Sequence, residues 1–94
     1  MDERALLERW RAGDRRAGNE LVQRCYPFVY RFFVNKPRSP ADTDELAQST
    51  FVQLVEAIDR YKGGPFLTFT LGIAANLIGH YYRDLRREEQ RTTC

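Results

Sequence analysis

Two clusters of turn formers, Lys36-Pro37-Arg38-Ser39-Pro40 and Lys62-Gly63-Gly64-Pro65, decide most about what this sequence can become. Proline lacks a backbone donor and glycine admits conformations that other residues avoid, so neither cluster continues a regular element. Around them the apolar residues recur every three or four positions, and no stretch alternates with period two. That periodicity predicts helices and no sheet. Asp2 caps a first helix that runs through Leu6, Leu7 and Trp10 and stops at Gly13. Asp14 caps a second, whose apolar residues are Leu21, Val22, Cys25, Phe28, Val29, Phe32 and Phe33. Pro27 inside it predicts a kink. Asp42, with Glu45 three residues later, forms a capping-box arrangement opening a third helix that ends near Tyr61. A fourth runs from about Leu67 to Glu89. The 94 residues fit one domain. The expectation is an all-α protein, a compact bundle of about four helices over residues 1–94.

Charge narrows the partners. Met1 to Asp59 carries nine basic against ten acidic residues, whereas Arg60 to Cys94 carries six against three. The basic excess lies at one end, beside many of the aromatics. No run of 18 apolar residues exists and the first residues are highly charged, which points away from a membrane span or signal peptide. Cys25 and Cys94 lie far apart and show no metal-ligand spacing. They fit a reduced, cytoplasmic chain in which Cys25 is a core thiol. His80 has no ligand partner at metal spacing. No nucleophile–base pair and no glycine-rich phosphate loop following a strand is present. The expectation is a protein that is not an enzyme and takes no metal or cofactor.

Two surfaces stand out. On the third helix Leu46, Ala47, Thr50, Phe51, Leu54, Ala57, Ile58 and Tyr61 share the core side. The opposite side carries Glu45, Gln48, Ser49, Glu56 and Asp59 around a single apolar residue, Val52. Such a face suits docking on a basic helix, and equally an ordinary solvated surface. On the fourth helix Phe66, Phe69, Ile73, Leu77 and Tyr81 form the expected core face. The other side shows Gly72, Ala75 and Gly79, then Arg83 and Arg86, with Asn76 at its edge. A glycine inside a helix costs about 1 kcal/mol relative to alanine. Either close approach of a nucleic acid or tight packing of another helix accounts for two of them. The turn between these helices sets Tyr61, Lys62, Gly63, Gly64 and Phe66 beside each other. Aromatic rings near a cation are what unpaired bases stack on; the same rings could instead close the core.

Taken in order, Leu7 to Ala17, Asp44-Glu45-Leu46-Ala47-Gln48-Ser49-Thr50-Phe51, Ala57-Ile58-Asp59-Arg60-Tyr61, Phe66-Leu67-Thr68-Phe69, Gly72-Ile73-Ala74-Ala75-Asn76-Leu77 and His80-Tyr81-Tyr82-Arg83 resemble region 2 of the extracytoplasmic-function (ECF) sigma factors. The resemblance implies a domain that binds the clamp helices of the RNA polymerase largest subunit through Asp44, Glu45, Gln48, Ser49 and Val52. It implies that the −10 promoter element is recognised and opened, with its non-template strand held, by Tyr61, Lys62, Gly63, Gly64, Phe66, Phe69, Gly72, Ala75, Asn76, Gly79, Arg83 and Arg86. An anti-sigma factor is a further partner it allows. Three positions depart from the family pattern: Phe69 where tryptophan is common, Ala75 where arginine is common, and His80 where an acid is usual. Relatives of this kind carry a C-terminal helix-turn-helix domain, and no helical pattern follows the fourth helix here. The expectation is therefore a region 2 domain alone, which does not select promoters by itself. The competing reading is a protein-interaction module that docks on polymerase or an anti-sigma partner without binding DNA.

Overall fold

The first two helices begin where their aspartates lie. In the computed structural model, which describes residues 2–92, α1 (Glu3–Arg11) follows Asp2, whose carboxylate accepts the Ala5 backbone N–H at 2.7 Å. Asp14 does the same for α2 (Arg15–Phe33), accepting from Arg16 and Ala17. These bonds satisfy donors that a helix start leaves unpaired. Gly13 makes the intervening turn at φ +104°. Asn35 ends α2 in the left-handed region at φ 67°, a conformation asparagine tolerates better than most residues. Pro27 sits exposed within α2, which continues through it to Phe33.

The third helix starts earlier than its sequence suggests. α3 spans Pro40–Ala57, and Ser39, not Asp42, is its cap: Ser39 Oγ accepts the Asp42 N–H at 3.2 Å. Pro40 belongs to the helix because proline at the first position loses no intrahelical bond. Asp42 instead accepts a 2.8 Å hydrogen bond from the Tyr81 hydroxyl. A 3₁₀ turn, Ile58–Arg60, carries the chain toward the loop, and α4 (Phe66–Thr92) follows. At 27 residues, α4 is about 40 Å long and sets the long dimension of a 54 × 23 × 20 Å molecule. Among the described residues there is no strand, and no helix is long and apolar enough to cross a membrane.

The core runs between α2, α3 and α4, with α1 laid against α2. Leu21, Val29, Phe33, Ala47, Leu54 and Phe66 are almost wholly buried, and Cys25 lies with them. On α4 the buried line is Phe66, Thr70, Ala74 and Ile78. Phe69, Ile73, Leu77 and Tyr81, expected as core, flank it half-buried. Phe28 is also not core; it stands 49% exposed with the Arg31 guanidinium over its ring.

At Gly18, α1 and α2 approach closely. A Cβ there would stand 2.5 Å from atoms of the Trp10 ring. Gly18→Ala should therefore invert the usual rule. Alanine gains about 1 kcal/mol of helix propensity, but overpacking costs about 1–3 kcal/mol. A net loss of stability is expected in chemical denaturation, with a shift in the emission of Trp10, the only tryptophan. Equal or higher stability would mean that the ring moves aside freely.

Candidate functional site

The outer side of α3 is an acidic and amide-bearing surface. Asp44, Glu45, Gln48, Gln53 and Glu56 are exposed, Ser49 is half-buried, and Val52 stands 60% exposed among them. Glu45, Gln48, Ser49, Val52, Gln53 and Glu56 line one shallow groove. Among the described residues no ion pair engages Glu45 or Glu56. The apolar part of this face is wider than its sequence reading: Val55, 53% exposed, shares it with Val52. At its border Tyr26 of α2 stacks on Phe51 at 5.6 Å between ring centroids while remaining 39% exposed.

The loop from Tyr61 to Pro65 is built from beneath. Tyr61 and Phe66 are buried, and their rings meet edge to face at 5.7 Å. Phe69 packs on Tyr61 at 5.1 Å, and the Tyr61 hydroxyl donates to the Gly64 carbonyl. Gly63 and Gly64 take φ of +124° and +84°, which suits glycine and few other residues. The rings thus support the turn, and what faces solvent is Lys62, Gly63, Gly64 and Pro65. This surface offers backbone groups and one cation.

Helix α1 forms the other wall of a cleft against this loop, through Glu3, Arg4, Leu7, Glu8 and Arg11. Arg11 crosses it. Its guanidinium donates to the Ile58 carbonyl at 3.0 and 3.3 Å and to the Tyr61 carbonyl, and lies 5.5 Å from the Tyr61 ring centroid.

On α4, Gly72, Ala75, Asn76, Arg83 and Arg86 are exposed and Gly79 is half-buried. A Cβ at Gly72 or Gly79 would meet nothing within 4 Å. Tight packing of another helix of this chain therefore does not explain these glycines. Arg83 is steadied by His80, with its Nη2 2.9 Å from the imidazole Nδ1. Further along, α4 is tied to the α2–α3 loop. The Tyr81 hydroxyl accepts the Arg38 N–H at 2.9 Å, Tyr82 donates to the Lys36 carbonyl at 3.2 Å, and Arg38 pairs with Glu89. Burial, with the Asp42 carboxylate adding to it, raises the Tyr81 hydroxyl above its ordinary pKa, against the pull of the Arg38 N–H. Among the described residues no three His, Cys, Asp or Glu side chains gather as a metal site would need.

The residues singled out from sequence fall into these two regions, the α3 face and the loop with the outer side of α4. Arg11 and Tyr26 were not legible, because each depends on a neighbour from another element; Val55, three residues beyond Val52 on the same helix, was within reach of the periodicity and was not singled out.

A model of the sigma-70 region 2 family matches residues 21–88. The ECF RNA polymerase sigma factor SigD of Mycobacterium tuberculosis is 34% identical over 83 residues, covering 82% of this chain and 39% of that protein. SigD of Mycobacterium bovis matches to the same extent. The RNA polymerase sigma factor CarQ of Myxococcus xanthus is 34% identical over 71 residues, covering 74% of this chain and 41% of CarQ. The chain spans about two fifths of the length of these curated relatives.

Proposed function

Since the chain belongs to the sigma-70 region 2 family, as a region 2 domain of an ECF sigma factor, we propose that it docks on the RNA polymerase clamp helices through α3 and opens the promoter −10 element with the 61–65 loop and α4. As a transcription-initiation factor domain it acts by binding, not by covalent chemistry. Docking uses Asp44, Glu45, Gln48, Ser49 and Val52. Acidic groups at the rim of such a contact steer a basic partner and set its register, while the apolar centre is the part that gains from losing water.

The DNA face is read in two parts. Lys62 neutralises a phosphate, and Gly63 and Gly64 let backbone groups approach a displaced non-template base. Tyr61, Phe66 and Phe69 hold that loop in place. Gly72, Ala75 and Gly79 then let the duplex approach α4, where Asn76 reads a base edge and Arg83 and Arg86 take phosphates. The observation that carries this reading is the open space at Gly72 and Gly79: a Cβ added at either of these helix-interior glycines would have nothing within 4 Å. With few exposed rings in the loop, affinity for isolated single strands is weak, and polymerase supplies most of the DNA contacts.

The docking half is tested by Val52→Glu. Val52 is 60% exposed, so the fold should keep its melting temperature. A carboxylate placed in the contact must lose water without a partner. Binding to a clamp-helix fragment, measured by titration, is expected to fall about tenfold, or about 1.4 kcal/mol. Unchanged affinity with unchanged melting would remove Val52 from the interface.

A further inference from the structure

We propose that Arg11 is a positioning residue, a brace from α1 that holds the 61–65 loop in the conformation that captures a displaced base. The inference rests on the DNA role given to that loop above, and it adds a residue outside the segment matched by the family model, which begins at residue 21.

The brace has two steps. Arg11 donates to the carbonyls of Ile58 and Tyr61, which flank the exit of the 3₁₀ turn. Tyr61, held by that bond and lying beside the guanidinium, passes the constraint on through its own hydroxyl to the Gly64 carbonyl. The loop tip is thereby fixed at Gly64, where two consecutive glycines would otherwise leave the backbone free to sample many conformations. A loop already held in its binding geometry loses less entropy when DNA arrives. Arg11 is suited to this because its planar guanidinium carries five donors in a fixed fork, whereas a lysine presents one rotatable ammonium. Packing of α1 does not depend on it, since Leu6, Leu7 and Trp10 already join α1 to the core.

The test uses the full-length protein assembled with core polymerase, in the wild-type form and as Arg11→Ala, Arg11→Lys and Gly64→Val. Gly64→Val disturbs the loop directly, because valine is strained at φ +84°. Three quantities are read for each: affinity for core polymerase, melting temperature, and promoter opening followed by a fluorescent base analogue in the −10 element. For Arg11→Ala, opening is expected to fall on the order of tenfold with polymerase affinity unchanged. Arg11→Lys should recover only part of it, and a promoter with a premelted −10 bubble should narrow the deficit without removing it. If Gly64→Val lowers opening and Arg11→Ala does not, the brace is wrong and the loop assignment survives. If neither variant changes opening, the loop assignment fails as well. If Arg11→Ala loses melting temperature, polymerase affinity and opening in parallel, with full recovery in Arg11→Lys, Arg11 merely stabilises the fold and the proposal is overturned.

Discussion

Cys25→Asp should destabilise the domain by about 3–5 kcal/mol, the scale on which an uncompensated buried charge acts. Cys25 is 5% exposed and lies in the core with Leu21 and Val29. Aspartate there must either ionise without a cation or take up a proton. Burial raises its pKa, so the variant should regain stability only as the pH falls through that raised folded-state pKa toward the unfolded aspartate value of about 3.9. The native thiol follows the same physics. Desolvation chiefly, with the Glu3 charge adding to it, raises its pKa, and a hydrogen bond with the Thr70 side chain works weakly against this. The folded state therefore holds the thiol proton more tightly than the unfolded chain does. Its contribution is fully present below the unfolded thiol pKa of about 8.5, and it is lost as the pH rises through the folded value. Thiol-reagent kinetics check the assignment: Cys25 should react slowly in native protein and quickly in denaturant. Fast labelling of native Cys25 would contradict a core position. Cys94, the other thiol, lies outside the described residues and must be replaced first.

Helix existence was readable from the sequence because its signals are local. Asp2, Asp14 and the two turn clusters act within a few residues of themselves. The start of α3 was misread for an equally local reason: Pro40 was assigned to the turn, although proline suits the first helical position. The core face of α4 was displaced by about 60° around the helix axis. Phe69, Ile73, Leu77 and Tyr81 are larger and more apolar than Thr70 and Ala74, so hydrophobicity alone selects them. The buried line nevertheless runs from Phe66 through the small residues Thr70 and Ala74 to Ile78, and the larger side chains between them lie on its flank. Thr70 is tolerated there because its hydroxyl is satisfied by the Phe66 carbonyl at 3.0 Å. The exposure of Phe28 has no counterpart in the sequence pattern.

The candidate surfaces divide in the same way. The α3 face was legible because 3.6-residue periodicity puts Glu45, Gln48 and Val52 on one side whatever their neighbours do. The loop was legible as a turn, and its rings were readable in two ways: Tyr61 and Phe66 fall on the expected core sides of their helices, yet sit beside a cation. Tyr61 and Phe66 were candidates for stacking on bases, and both are buried under the loop. Arg11 and Gly18 carried no readable signal, since their roles depend on Tyr61 and on Trp10, contacts made between elements. Tertiary contacts of this kind are what a periodicity reading leaves out.

Gly72→Leu should separate folding from function by moving them in opposite directions. Gly72 lies inside α4, exposed, with nothing within 4 Å of an added Cβ. Leucine is a far better helix former than glycine, and stability is expected to rise by up to about 1 kcal/mol. Affinity for core polymerase should not change, because docking is assigned to α3. If DNA approaches α4 along Gly72, Ala75 and Gly79, the new side chain stands in its path. A steric penalty of about 1–3 kcal/mol corresponds to roughly fivefold to 150-fold less promoter opening. Gly72→Ala should show the same signs with smaller amplitudes, which separates steric exclusion from a change of helix register. The measurements are a denaturation midpoint, a polymerase titration and promoter opening in the full-length protein. Opening at the wild-type rate in a stabilised Gly72→Leu protein would show that no duplex comes near this stripe. The glycines would then have no role in DNA contact, and α3 docking without promoter contact would become the better account of this domain.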